Sequence, residues 1–277
     1  MSVDEAPEHD RGKGALPPPE VPADRYDEDY YIHVCGGSDE WRTSQGKEHA
    51  GIYAWSLQEA RLRPGEVVVD IGTGRGELLV AALDAGAARA VGIEYSSAAV
   101  ELARRTLAVH QVRPERGEVV AADARSIPLP DGYADLVTML DVVEHLAPAE
   151  LSRSFSEAHR LLRPGGRILV HTFPTRTLYS VTYRLQRLAR PGRLRRWPRD
   201  PRNEWERAMH VNEQTVSRLR RALRSAGFSH VDVHPGIWVY TDFLPDPRAA
   251  RLYQRLARHR LTAQFGVSNL WGRGERA

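Results

Sequence analysis

Val67-Val68-Val69-Asp70-Ile71-Gly72-Thr73-Gly74-Arg75-Gly76-Glu77 is the stretch on which the fold turns. Its first five residues are a short β-branched run, the composition of a buried strand. Three glycines then alternate with Thr73 and Arg75, which lets the backbone turn tightly and approach a ligand closely. A dinucleotide-binding G-x-G-x-x-G would need glycine at 77, where this chain has Glu77. An acidic loop of this kind suits a ligand with a cationic group, such as an amino acid moiety or a sulfonium.

The reading extends outward from that loop. Glu77 to Ala85 reads as a helix, Ala90 to Glu94 as a second strand, and Ser97 to Val109 as a second helix capped by Ser96 or Ser97. Glu118 to Ala121 and Ala134 to Leu140 read as strands three and four. Pro148 to Leu162 reads as a helix stopped by Pro164-Gly165-Gly166, and Arg167 to His171 as strand five. Alternating strands and helices with apolar strands predict an α/β fold, a parallel sheet covered on both faces. Further along, a helix capped by Asn212 or Thr215 runs to Ala226. Ser229 to Val233 reads as a sixth strand, Pro247 to Arg258 as a helix and Thr262 to Trp271 as the last strand. Before the core, Glu48 to Arg63 has a helical pattern.

Acids recur where strands end. Asp70 ends the first, Glu94 the second, and Asp123 follows the third. In an open parallel sheet these positions face one crevice. A carboxylate after strand two is placed to accept from a ribose diol, and Asp123 to accept from an exocyclic amine of a base.

With this set of positions the chain resembles the class I S-adenosylmethionine-dependent methyltransferases. The resemblance is carried by VVVDIGTGRGE (67–77), GIEYS (92–96), AADARSIPLPDGYAD (121–135), MLDVVEHL (139–146) and LLRPGGRILVHTFP (161–174), and it covers residues 61–174, with weaker likeness over 210–228. It implies a Rossmann-like, seven-stranded, mostly parallel sheet with helices on both faces, and S-adenosylmethionine as the cofactor. It also implies roles: Asp70, Gly72, Thr73 and Gly74 beside the methionine portion, Glu94 on the ribose, Tyr95 against the adenine, Asp123 and Ala124 at the adenine edge, and Asp141 near the methionine end.

Methyl transfer to a hydroxyl calls for a base, and histidine suits neutral pH. His145 follows strand four and His210 follows an arginine-rich insertion, so these two are the candidates; both also read as structural histidines. His33 is a third, weaker candidate. Asp141, Glu144 and His145 at i, i+3 and i+4 would share one face of a helical turn, a possible cation site, but metal-free relatives carry the same pattern and no metal is expected.

The expected organisation is an acidic, disordered tail over 1–24 and one methyltransferase domain over 25–277. That domain divides into a helical cap (25–60), a cofactor-binding core (61–174), an arginine-rich lid (175–209) and the C-terminal part of the sheet (210–277). Residues 1–31 hold nine acids and three bases, so the leader is negative and the remainder strongly positive, although the whole chain of 277 residues carries only +3. Ten arginines lie between 176 and 207. They read as a solvated face, as forks for an anionic acceptor, or, mixed with Leu178, Tyr179, Val181, Tyr183, Leu185 and Leu188, as a surface for peripheral membrane contact.

Other classes recede. No run is long and apolar enough for a transmembrane span, no secretory signal is recognisable, and Cys35 alone forms neither a disulfide nor a cysteine cluster. A cytoplasmic location is expected. No nucleic-acid module is recognisable, so the expected partner is a small-molecule acceptor. O-methylation of a natural product or sugar hydroxyl leads; N- or C-methylation, RNA methylation and non-catalytic cofactor binding are the alternatives. Oligomeric state is not read from the sequence.

Overall fold

The computed structural model describes residues 16–48, 51–188, 198–236, 255, 262–266 and 268–277. Seven strands form one sheet: β1 (Val67–Ile71), β2 (Arg89–Glu94), β3 (Gly117–Ala121), β4 (Ala134–Leu140), β5 (Leu162–Thr172), β6 (Ser229–Pro235) and β7 (Leu270–Glu275), in the order β3-β2-β1-β4-β5-β7-β6. The first five are parallel, and β7 runs antiparallel to both β5 and β6. The strand order reverses between β1 and β4, and the crevice above that switch point is where such sheets bind ligands.

Both faces of the sheet are covered, as continuous apolar strands require. One face packs Val69, Ile71, Val137 and Met139 against Leu151 and Phe155 of α5 (Pro148–Leu161) and Leu219 and Leu223 of α8 (Val216–Ser225). The other packs Val68, Ala90 and Leu136 against Leu57 of α2 (Gly51–Glu59) and Leu78, Leu79 and Ala82 of α3 (Glu77–Asp84). Between them along the chain, α4 (Ser97–Val109) starts where the Ser96 hydroxyl accepts the Ala99 N–H at 3.2 Å, the cap expected from the sequence.

Two boundaries differ from expectation. The last strand was expected over 262–271, but Ala263–Gly266 is a helical turn and β7 begins at Leu270. The strand runs through Gly272 and Gly274, which look like breakers. A Cβ on Gly272 would meet Leu219 at 3.1 Å, and one on Gly274 would meet Phe228 at 2.9 Å. These glycines let α8 and its following turn lie against the sheet. Likewise β5 starts at Leu162, ahead of the glycine pair expected to precede it, because Leu162 already pairs with Ala134 across a register shift. The helix expected over 247–258 lies, apart from Arg255, outside the described residues.

Order also begins before Arg25. The expected tail over 1–24 lies outside the described residues as far as 15, but Val21 is buried and Ala23–Arg25 forms a helical turn. A π-helical turn (Tyr30–Val34) and α1 (Ser38–Ser44) follow. Trp41 fixes this cap to α4 by donating to Thr106 Oγ1 at 2.9 Å. In the insertion, a π-helical turn (Leu178–Thr182) runs into α6 (Tyr183–Leu188), and α7 (Glu204–Met209) precedes His210. Its residues 189–197 lie outside the described ones. Among the described residues no helix is long and apolar enough to cross a membrane.

Candidate active site

A cavity of about 570 Å³ opens above the carboxyl ends of β1, β2 and β4. This size suits a small molecule. Every residue expected to contact the cofactor lines it: Asp70, Gly72, Thr73, Gly74, Glu94, Tyr95, Asp123, Ala124 and Asp141. So do both candidate bases, His145 and His210. His33 does not; it is exposed beside Arg42.

The acidic floor is built by the strand ends. Asp70 is buried, receives the Thr138 hydroxyl at 2.6 Å, and is pushed up to about 7 by burial. Glu94 is buried and accepts three backbone N–H groups, from Gly74 at 3.0 Å, Tyr95 at 2.8 Å and Ser96 at 2.9 Å. Its carboxylate thereby ties the glycine loop to the end of β2. Asp123 is gripped by the Arg125 guanidinium at 2.7–3.1 Å, which outweighs desolvation and holds it below the usual carboxylate range. Arg125 reaches on to Glu150 at 3.1 Å.

The loop glycines divide their work. A Cβ on Gly72 would collide with the Val142 side chain, so this position seats the segment after β4. A Cβ on Gly74 would meet only the Tyr31 ring, at 3.5 Å, beside the cavity. Gly76 is outside the lining: with φ +79° it faces Ala103 of α4, whose Cα would lie 3.0 Å from a Cβ there. The third glycine therefore serves helix packing.

The segment after β4 is a turn rather than a helix, so the possible cation face does not form. Asp141 takes φ +54° and reaches His171, with its Oδ1 2.7 Å from Nδ1. Glu144 points elsewhere, accepting from Thr172 Oγ1 at 2.9 Å and from the Phe173 N–H at 3.3 Å. Among the described residues no group of three or more His, Cys, Asp or Glu side chains is arranged to hold a metal ion. His145 meets His210 with ring centroids 4.8 Å apart and lies 5.6 Å from the Tyr26 ring. Burial lowers His145 to about 3 and His210 to about 4. Both rings are thus neutral near pH 7, the form that accepts a proton. The Asp141 carboxylate favours the charged form of each, the direction proton uptake needs.

The N-terminal cap closes one side, and sequence reasoning missed how. Arg75, which reads as a spacer in the glycine loop, is buried with Glu77 at 2.8 Å and donates to the carbonyls of Tyr31 at 2.6 Å and Gly36 at 2.7 Å. Ser96 Oγ holds the Tyr26 carbonyl at 2.6 Å, and Tyr95 Oη donates to the Val21 carbonyl at 3.2 Å. Tyr26, Tyr30 and Tyr31 then stack edge to face over the cavity. Beside the cap the insertion contributes Asn203, Trp205, Glu206 and Met209, with the Trp205 ring 6.1 Å from Tyr30. Among the described residues of the insertion no arginine lines the cavity, and Arg202 is engaged by Asp200 and Glu213 at 2.7–3.2 Å. Arg190, Arg193, Arg195 and Arg196 lie outside the described residues. The described wall of the cavity here is lined by Tyr26, Tyr30, Trp205, His145 and His210.

Residues 69–170 match the methyltransferase domain family. A probable S-adenosylmethionine-dependent methyltransferase of Mycolicibacterium smegmatis is 31% identical over 168 residues, which cover 61% of this chain and 54% of the relative. A ubiquinone/menaquinone biosynthesis C-methyltransferase of Cupriavidus metallidurans is 32% identical over 144 residues, covering 49% and 57%. The chain thus spans about half the length of these relatives. Among solved structures, a phosphoethanolamine N-methyltransferase of Haemonchus contortus in complex with S-adenosyl-L-methionine superposes with a TM-score of 0.59 at 13% identity, covering 93% of this chain and 57% of that one. At that identity the likeness is one of fold.

Proposed function

Given that the chain belongs to the class I S-adenosylmethionine-dependent methyltransferase family, we propose that it methylates a hydroxyl of an aromatic small-molecule acceptor. One observation carries this reading: an acidic strand-end floor and a neutral histidine pair line one and the same cavity. The floor fits the cofactor. Asp70 is a buried carboxyl that a cationic amino group would favour in its charged form, and Glu94 presents an oxygen at the end of β2 for the ribose. Bound S-adenosylmethionine supplies an electrophilic methyl group on a sulfonium.

The remaining work falls to side chains of this chain. Tyr26, Tyr30 and Trp205 hold a flat acceptor and exclude water. His145 or His210 takes the hydroxyl proton, and Asp141 stabilises the resulting imidazolium. A C-methyltransferase is the second reading, favoured by the likeness to the quinone-pathway relative. There the same base would take the proton from carbon.

The test is S-adenosylhomocysteine formation across a panel of phenols and hydroquinones, with the methylated position assigned by NMR. Turnover that falls in both His145→Ala and His210→Ala supports the base. Turnover unchanged in both removes it, and a methyl on carbon selects the second reading. Glu94→Ala is expected to weaken cofactor binding by calorimetry at least about tenfold, equivalent to about 1.4 kcal/mol.

A further inference from the structure

The helix over 178–188 presents an apolar face that stays exposed among the described residues. Its inner side is anchored: Tyr179, Thr182 and Tyr183 are buried, Tyr179 Oη donates to Glu206 at 3.2 Å, Tyr183 Oη to the Pro198 carbonyl at 2.8 Å, and Thr182 to the Phe265 carbonyl at 2.9 Å. On its outer side Val181, Leu185 and Leu188 are 38%, 60% and 69% exposed, and Phe265 nearby is 38% exposed. Large aliphatic side chains this open, spaced four and three residues apart, form a stripe that water disfavours.

Charge selects the occupant. From 176 to 188 the sequence holds Arg176, Arg184 and Arg187 and no acid, and Arg176 and Arg184 are exposed. A basic helix with an exposed apolar stripe fits the interface of an anionic bilayer, where the aliphatic groups enter the headgroup boundary and the guanidinium groups meet lipid phosphates. The anchored side reaches α7, whose Trp205 lines the cavity and is itself 41% exposed. An exposed apolar residue therefore also stands at the cavity wall on the element this helix is tied to. We propose that the outer face of residues 178–188 docks this protein peripherally on an anionic phospholipid surface. This goes beyond the reading of the cavity, and it is measured without turnover.

Cosedimentation of the full chain with phosphatidylcholine vesicles, with and without phosphatidylglycerol, tests it. Binding is expected to the phosphatidylglycerol vesicles, to weaken at high salt, and to fall at least about tenfold in Leu185→Glu/Leu188→Glu. Arg184→Gln/Arg187→Gln, which leaves the apolar stripe intact, is expected to fold normally by circular dichroism and to bind the anionic vesicles several-fold less. Absence of wild-type binding overturns the proposal, as does equal binding to both vesicle types. A wild-type dimer in sedimentation velocity that Leu185→Glu/Leu188→Glu splits, without vesicle binding, would also overturn it and assign the face to self-association.

Discussion

His171, at the end of β5, sets its Nδ1 2.7 Å from Oδ1 of Asp141, the residue that leaves β4 with φ +54°. From the other side Asn269 Nδ2 lies 3.0 Å from His171 Nε2. An amide donating to Nε2 leaves the ring proton on Nδ1, aimed at Asp141, a tautomer inferred from the network. Burial opposes ionisation of Asp141, but the His171 contact outweighs it and the carboxyl sits below its usual range. Replacing His171 with Ala removes the contact that holds the carboxyl down. The acid limb of the kcat/KM profile is then expected to move to higher pH, with turnover down at least about tenfold at pH 6 and less at pH 8. An unmoved limb would separate Asp141 from the chemistry.

The two cavity histidines make stability fall in mild acid. Their folded values, about 3 for His145 and about 4 for His210, lie below the ordinary 6.5 because burial disfavours the charge. The unfolded chain therefore binds protons first as pH drops through 6.5, and stability declines from there toward about 4. Between pH 7 and pH 5 the loss is about 2 kcal/mol per histidine. Urea unfolding across that window measures it. His145→Asn/His210→Asn is expected to flatten the slope; an unchanged slope would mean the rings are more solvated than the packing indicates.

Asp70 behaves in the opposite sense. Burial raises it to about 7, so it is largely protonated at pH 6 in the free protein. A ligand amino group favours the carboxylate and expels that proton. S-adenosylmethionine affinity is thus expected to rise with pH between 5.5 and 8, with close to one proton released near pH 6. Calorimetry in buffers of different ionisation enthalpy counts the proton, and Asp70→Asn is expected to abolish both effects. Binding independent of pH would remove Asp70 from the amino-group site.

The core of this site was legible because strand ends are local. The acids at 70, 94 and 123 follow β-branched or small-residue runs, and the parallel topology brings such ends together whatever the rest does. Partnerships across long sequence separations left no comparable pattern. Arg75 binds carbonyls 39 and 44 residues away, and carbonyls carry no side-chain signature. His171 and Asn269, 98 residues apart, read as a strand end and a strand interior. In the arginine-rich insertion composition did not mark the cavity residues: its described cavity contacts come from Asn203, Trp205, Glu206 and Met209, whereas its described arginines lie outside the cavity lining.

Gly76, the third glycine of the loop, serves packing rather than the cavity. At φ +79° it caps α3, and a Cβ there would stand 3.0 Å from both Cα and Cβ of Ala103. Backbone atoms cannot swing aside. Gly76→Ala is expected to cost about 2–4 kcal/mol, combining the strained left-handed conformation with overpacking between α3 and α4. Denaturant unfolding reads the cost. Because Gly76 lies off the cavity, cofactor affinity of the folded fraction should stay within about threefold. A large affinity loss at normal stability would return Gly76 to the binding loop.

Arg75 joins the glycine loop to the N-terminal cap, and its two duties can be separated. Toward the core it neutralises Glu77, with both side chains 1% exposed. Removing the charge would strand that carboxylate at a cost of about 3–5 kcal/mol. Toward the cap its planar fork donates to the Tyr31 and Gly36 carbonyls at once. Lysine keeps the charge but lacks the fork. Arg75→Lys is therefore expected to unfold within about 1 kcal/mol of wild type while the cap loosens. Trypsin should then cut after Arg25 and Arg42 at least about tenfold faster, because those sites become accessible through local opening. Cofactor affinity should fall in parallel, since Tyr31 beside Gly74 loses its mooring. Wild-type cleavage rates in Arg75→Lys would show that the cap is held instead by Ser96, Tyr95 and Trp41.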